Sequence, residues 1–143
     1  MNISSPAFKH EGNIPSEYTC DGKDAIPSLQ ISDAPPNAKS LALVMDDPDA
    51  PMGTWDHWIL WNIPPGTKTI TGPAGIAGRN SWGRTNYGGP CPPSGVHRYF
   101  FRLYALDTML DLPAGSTKQA LEKAMKGHIL TEAVLMGTYK RTK

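Results

Sequence analysis

A chain of 143 residues with a formal net charge of +1 points to one domain over residues 1–143 and gives nucleic acid or an acidic membrane surface no electrostatic hold as main partner. At this length a fold can bury about 70% of the surface its unfolded chain exposes, and 39% hydrophobic residues with a mean hydropathy of −0.38 supply an ordinary core. The opening MNISSPAFKHEG has no apolar run of secretory type and no stretch reaches the length of a membrane span, so the expected address is cytoplasmic.

Fourteen glycines and fourteen prolines punctuate the chain, which favours many short elements over a few long ones. Five runs read as strands from their β-branched and aromatic content. In chain order they are IPSLQIS near 26–32, SLALVMD near 40–46, WDHWILWNI near 55–63, VHRYFFRLYALD near 96–107 and LTEAVLMGTYKR near 130–141. LALVM and ILWNI are almost wholly apolar, as expected of central strands covered on both faces. Between Pro64 and Gly95 lie some thirty residues rich in glycine, arginine and aromatics, a length that suits an ordered binding loop. STKQALEKAMKGH predicts one helix, with Ser116 and Gln119 as a capping box, Gly127 as its stop, Leu121 and Met125 buried, and Lys118–Glu122 and Glu122–Lys126 paired outside. The basic YKRTK at the end reads as a solvated tail. These elements predict a mainly β fold, an antiparallel β-sandwich with one or two peripheral helices.

The polar groups gather at strand ends. Alternation places Trp55 and His57 on one face of their strand and Asp56 with Trp58 on the other, and it puts His97, Tyr99 and Phe101 on a common face. Asp47 leaves its strand into a turn stiffened by Pro48 and Pro51. Each residue taken alone has an ordinary structural use, as a turn former or a packed ring. Together, rigid proline turns beside polar strand ends at two places describe a preorganised site.

Cys20 and Cys91 lack the spacing of a zinc site. They read as small buried residues, with a disulfide as the alternative because both sit in turn-rich segments. His10, His57, His97 and His128 show no metal-ligand spacing, and neither a metal nor another cofactor is expected. A hydrolase using Asp47, His57 and His97 with Cys91 or Ser94 as nucleophile is the competing reading. Against it stand the absence of a G-x-S-x-G elbow and of any helix start to activate Cys91.

DDPDAP, then WDHWILWNIP, then YGGPCPPSGVHRYFFRLYALD, with YTCDGKDAIPSL before and GHILTEAVLMGTYKR after, resembles the phosphatidylethanolamine-binding protein family, in its bacterial and archaeal Raf-kinase-inhibitor-like branch. The resemblance covers nearly the whole chain. It implies a two-sheet Greek-key β fold with a small anion pocket at one end. Carried over residue by residue, the ligand-binding positions are Asp47, Ala50, Pro51, Trp55, His57, His97 and Tyr99, with Cys91 and Pro92 on the rim. It implies as partners a small phosphate-like anion or phospholipid head group, a kinase or serine protease as possible protein target, and a homodimer. Two departures stand out: the sequence ends after its expected final strand, where animal members have a C-terminal helix, and Cys91 stands where animal relatives tend to have a glycine.

Overall fold

The computed structural model describes residues 1–142, and its elements follow the punctuation closely. Strands run over β1 (Asn2–Ser4), β2 (Leu29–Ser32), β3 (Ser40–Asp47), β4 (Trp55–Ile63), β5 (Thr69–Ile70), β6 (Ile76–Ala77), β7 (His97–Leu106) and β8 (Ile129–Tyr139). One α-helix, α1 (Lys118–Met125), precedes β8, and a short 3-10 turn covers Ser16–Tyr18. The strands form two antiparallel sheets, β1-β2-β5 and β6-β4-β3-β7-β8. The five expected strands are all present. The first starts three residues later than expected, at Leu29, and the two-residue strands β5 and β6 are too short to show a period.

The main core lies between the sheets. Ile3, Leu29, Ile31 and Ile70 of the small sheet meet Leu41, Leu43, Met45, Leu60, Phe101, Leu103 and Leu135 of the large one. A second core on the opposite face packs Ala42, Val44, Ile59, Trp61 and Leu106 against Leu121 and Met125 of α1. Every residue of β3 is therefore buried, which is why its Leu41–Met45 stretch is an unbroken apolar run rather than an alternation.

Two register shifts between β3 and β4 break the simple alternation. Met45 pairs with Trp58 and the next position, Asp46, pairs with Asp56, so His57 is an extra residue without a partner. A bulge of this kind turns two consecutive side chains towards one face. Trp58 joins the inter-sheet core beside His57, while Asp56 points to the helix side. The expectation that Asp56 and Trp58 share a face is overturned for this reason. At the second shift Asn62 takes a left-handed φ of 53° and clasps Leu110 from both sides, its amide donating to the Leu110 carbonyl at 2.9 Å and its oxygen accepting from the Leu110 N–H at 2.8 Å.

The helix corrects two expectations. Thr117, not Ser116, is the N-cap and accepts from the Ala120 N–H at 3.3 Å; the Ser116 hydroxyl donates instead to the Pro113 carbonyl at 2.6 Å. Lys118 turns inward and reaches Asp56 at 2.8 Å, rather than pairing with Glu122 along the helix. Gly127 does take the left-handed conformation, φ 83°, that ends the helix. Thr117→Ala is expected to lower the free energy of unfolding by about 1 kcal/mol, as cap removal does elsewhere. Chemical denaturation checks it; an unchanged midpoint would show that the cap bond contributes nothing.

Candidate functional site

The central strands β4, β3 and β7 lie side by side, and their polar ends meet at one rim of the sandwich. DDPDAP and WDHW hold four carboxylates, and each goes to a different cation or ring. Asp46 receives a forked pair from Arg102 at 3.0 and 3.2 Å, and Asp56 sits 2.8 Å from Lys118, both on the helix side of the sheet. Asp49 pairs with Arg98 in the same forked way, at 2.9 and 2.8 Å, and also accepts from the Arg98 backbone N–H at 2.9 Å. Those bonds hold the Asp49 carboxyl down to about 2. Asp47 alone faces the pocket side of the sheet. Its Oδ1 accepts from the Asp49 N–H at 2.8 Å, closing the turn at Pro48, and its Oδ2 lies 2.7 Å from Nδ1 of His97.

The same bonds fix both imidazoles. A carboxylate can only accept, so Nδ1 of His97 is the protonated nitrogen there and Nε2 is the ring's remaining polar atom. His57 sits at the bulge, 2% exposed, with Nδ1 donating to the Gly88 carbonyl at 2.7 Å. Its Nε2 is a bare lone pair whenever the ring is neutral. Burial lowers the His57 pKa, opposed by the Gly88 carbonyl bond and the charge of Asp47. Asp47 thus orients His97 directly and acts on His57 through its charge. Tyr99 is fully buried between the rings, 5.3 Å from His57 and 6.5 Å from His97 by centroid. Its hydroxyl faces Asp47 and the backbone of Cys91 without closing a hydrogen bond of ordinary geometry to either. Burial first, and the Asp47 charge second, push the phenol pKa well above its usual value.

The long segment between β4 and β7 forms the other wall. Asn80, 5% exposed, is its hub: its oxygen accepts from the N–H groups of Trp82 and Arg84, both at 3.0 Å, and its amide donates to Asn86 at 2.8 Å. This folds Trp82 back, edge-on to Trp55 at 5.6 Å and to His57 at 4.9 Å. Gly88 lies directly under the Trp82 ring, where a Cβ would collide with the indole. Beyond it, the loop is fastened to residues 18–24 by Tyr87 donating to the Tyr18 carbonyl at 2.8 Å, Gly89 N–H to Asp24 at 3.0 Å, Cys20 N–H to Pro90 at 3.1 Å, and a disulfide between Cys20 and Cys91.

These groups enclose a cavity of about 250 Å³. Asp47, Ala50, Pro51, Trp55, His57, Cys91, His97 and Tyr99 all line it. Pro92 does not: it is buried behind the wall, and Pro93 takes its place. The GPCPP turn lies outside any strand, so no alternation in its sequence tells which proline faces inward. Trp82 also lines the cavity and sequence reading missed it, since nothing in GRNSWG shows that Asn80 will fold the loop onto His57. The hydrolase alternative loses its nucleophiles. Cys91 holds no thiol while bridged to Cys20, and Ser94 is exposed outside the cavity lining. Among the described residues no group of three or more His, Cys, Asp or Glu side chains could hold a metal ion, and no helix is long and apolar enough to cross a membrane.

Comparison with known proteins agrees with this architecture. A UPF0098 protein of Methanothermobacter thermautotrophicus is 51% identical over 150 residues, covering 99% of each chain, and one of Pyrococcus horikoshii is 48% identical, covering 99% of this chain and 77% of its own. A crystal structure of the putative phosphatidylethanolamine-binding protein homologue CT736 from Chlamydia trachomatis superposes with a TM-score of 0.95 at 41% identity, over 98% of this chain and 97% of that one. YbcL of E. coli, described as a new member of the mammalian PEBP family, gives 0.90 at 27% identity over 99% and 98%. The family model for phosphatidylethanolamine-binding proteins matches residues 4–140, and the chain belongs to that family.

Proposed function

We propose that the cavity binds a small phosphate-like anion, free or as the head group of a larger molecule, and that binding takes up a proton. The observation that carries this reading is the row of unspent polar atoms: the Tyr99 hydroxyl, buried without a partner, beside two imidazoles whose Nδ1 atoms are already committed. A buried hydroxyl left unpaired costs about 1–3 kcal/mol, and a ligand acceptor relieves it. Neutral His57 presents a lone pair, which repels a bare anion. It becomes a donor once protonated, or it accepts from a phosphate that still carries a proton. Either way a proton lies between His57 and the anion, and where His57 supplies it binding takes that proton up from solvent.

The sign of the pH dependence follows. Burial holds His57 below its ordinary pKa in the empty cavity, and a bound anion raises it. Binding is therefore strongest below the free-state value and weakens as pH rises through the bound-state value. Calorimetry with inorganic phosphate, in two buffers of different ionisation enthalpy, is expected to show net proton uptake near neutrality and affinity falling with pH. Proton release, or affinity rising with pH, would reject the reading.

The size of the cavity suits a head group rather than an acyl chain. Met52, 96% exposed, and Val96, 60% exposed, follow lining residues Ala50–Pro51 and precede His97. A phosphoryl group displayed on a lipid or a kinase- or protease-class target would meet this apolar rim first. The reading takes the chain as cytoplasmic, in which case the Cys20–Cys91 bond sits in a reducing environment where disulfides are rare outside hyperthermophiles.

A further inference from the structure

The disulfide has two unlike sides. Cys20 is exposed on the outer turn at 18–24, whose charged groups are Asp21, Lys23 and Asp24. Cys91 is half-buried and lines the cavity that holds His57 and His97. A thiol can approach from outside, where Asp21 is already paired with Arg141 and the exposed charges are of both signs, or through the cavity, where an acid group would be drawn towards the imidazoles. The loop does not depend on the S–S bond alone, because the Tyr87, Gly89 and Cys20 backbone bonds span the same seam. Opening the bond therefore leaves the cavity wall in place to receive the incoming group.

The geometry points to Cys91 as a modification site for anionic thiols: the ligand's acid group is held in the cavity while its sulfur exchanges with the Cys20–Cys91 disulfide. This rests on the anion-binding reading. In the step, the thiolate attacks Sγ of Cys91, a new S–S bond joins ligand to Cys91, and the bond to Cys20 breaks. The electron pair leaves on Cys20, which takes a proton from water. No further oxidant or reductant is needed. The product carries a covalently filled cavity and a free, exposed Cys20.

The test compares 2-mercaptoethanesulfonate, neutral 2-mercaptoethanol and cationic cysteamine on the oxidised protein, each rate divided by its rate on an unstructured disulfide peptide. This division removes differences in intrinsic thiol reactivity. The anionic thiol is expected to be favoured about tenfold over the neutral one, the scale of a local opposite charge. Saturating inorganic phosphate should erase that advantage, as should His97→Gln. Trapping with iodoacetamide and peptide mass spectrometry should find the adduct on Cys91 and the alkyl group on Cys20. Equal normalised rates, preference for cysteamine, an adduct on Cys20, or no protection by phosphate would each overturn the assignment. Calorimetry on the same protein separates the two ideas. If phosphate binds without slowing exchange, the modification site fails and the anion pocket stands; if phosphate does not bind, the pocket fails and the modification site fails with it.

Discussion

Replacing Cys20 and Cys91 together by serine is expected to lower the free energy of unfolding by about 4 kcal/mol. The two residues are 71 positions apart, so the cross-link removes a large share of the conformations open to the unfolded chain. The folded state has little reason to change, since their Cα atoms are 5.4 Å apart and three hydrogen bonds already join the two loops. For a domain of this size a loss of that order is a large part of the whole stability. Urea denaturation of the wild type, with and without a dithiol, and of the double variant measures it. The reduced wild type and the variant should coincide. A midpoint unchanged in both would mean that the cysteines do not bridge in solution.

The second large effect is on ligand. His57→Ala with His97→Ala removes both imidazoles that line the cavity, which on the proposed reading are charge-assisted partners of the anion. At roughly 1.5–3 kcal/mol per such bond, phosphate affinity should fall by about a hundredfold or more. Both rings are buried, so the variant is compared with Trp55→Ala, which opens the same wall while sparing the polar atoms. Equal phosphate affinity in wild type and the histidine variant would remove the imidazoles from the site. A loss as great in Trp55→Ala would assign the effect to the wall.

Much of the fold was legible because β3, β7 and β8 obey simple rules. Leu41–Met45 is apolar throughout and covered on both faces, and β7 alternates buried with partly exposed residues from His97 to Ala105. The site was legible where it follows those strands, at Asp47, His97 and Tyr99. It was less so in β4, because a bulge changes the facing of side chains by one position and leaves no mark in composition. Periodicity placed His57 correctly and Trp58 wrongly for that reason. Trp82 and Pro93 escaped for a related one. Loop side chains are aimed by hydrogen bonds to distant backbone, here through Asn80, rather than by any local period. Two cysteines 71 residues apart reveal their approach only when both loops are folded, so the sequence alone leaves the disulfide open.

The most direct measurement is a long-range proton–nitrogen spectrum of the histidine rings at mildly acidic pH, recorded without ligand and again with phosphate. Without ligand, His57 should carry its proton on Nδ1 and show an unprotonated Nε2. With phosphate, that Nε2 should move to the shift of a protonated nitrogen. Rings whose nitrogens stay unchanged while phosphate saturates the protein would place the anion elsewhere, and the account of the cavity would be wrong.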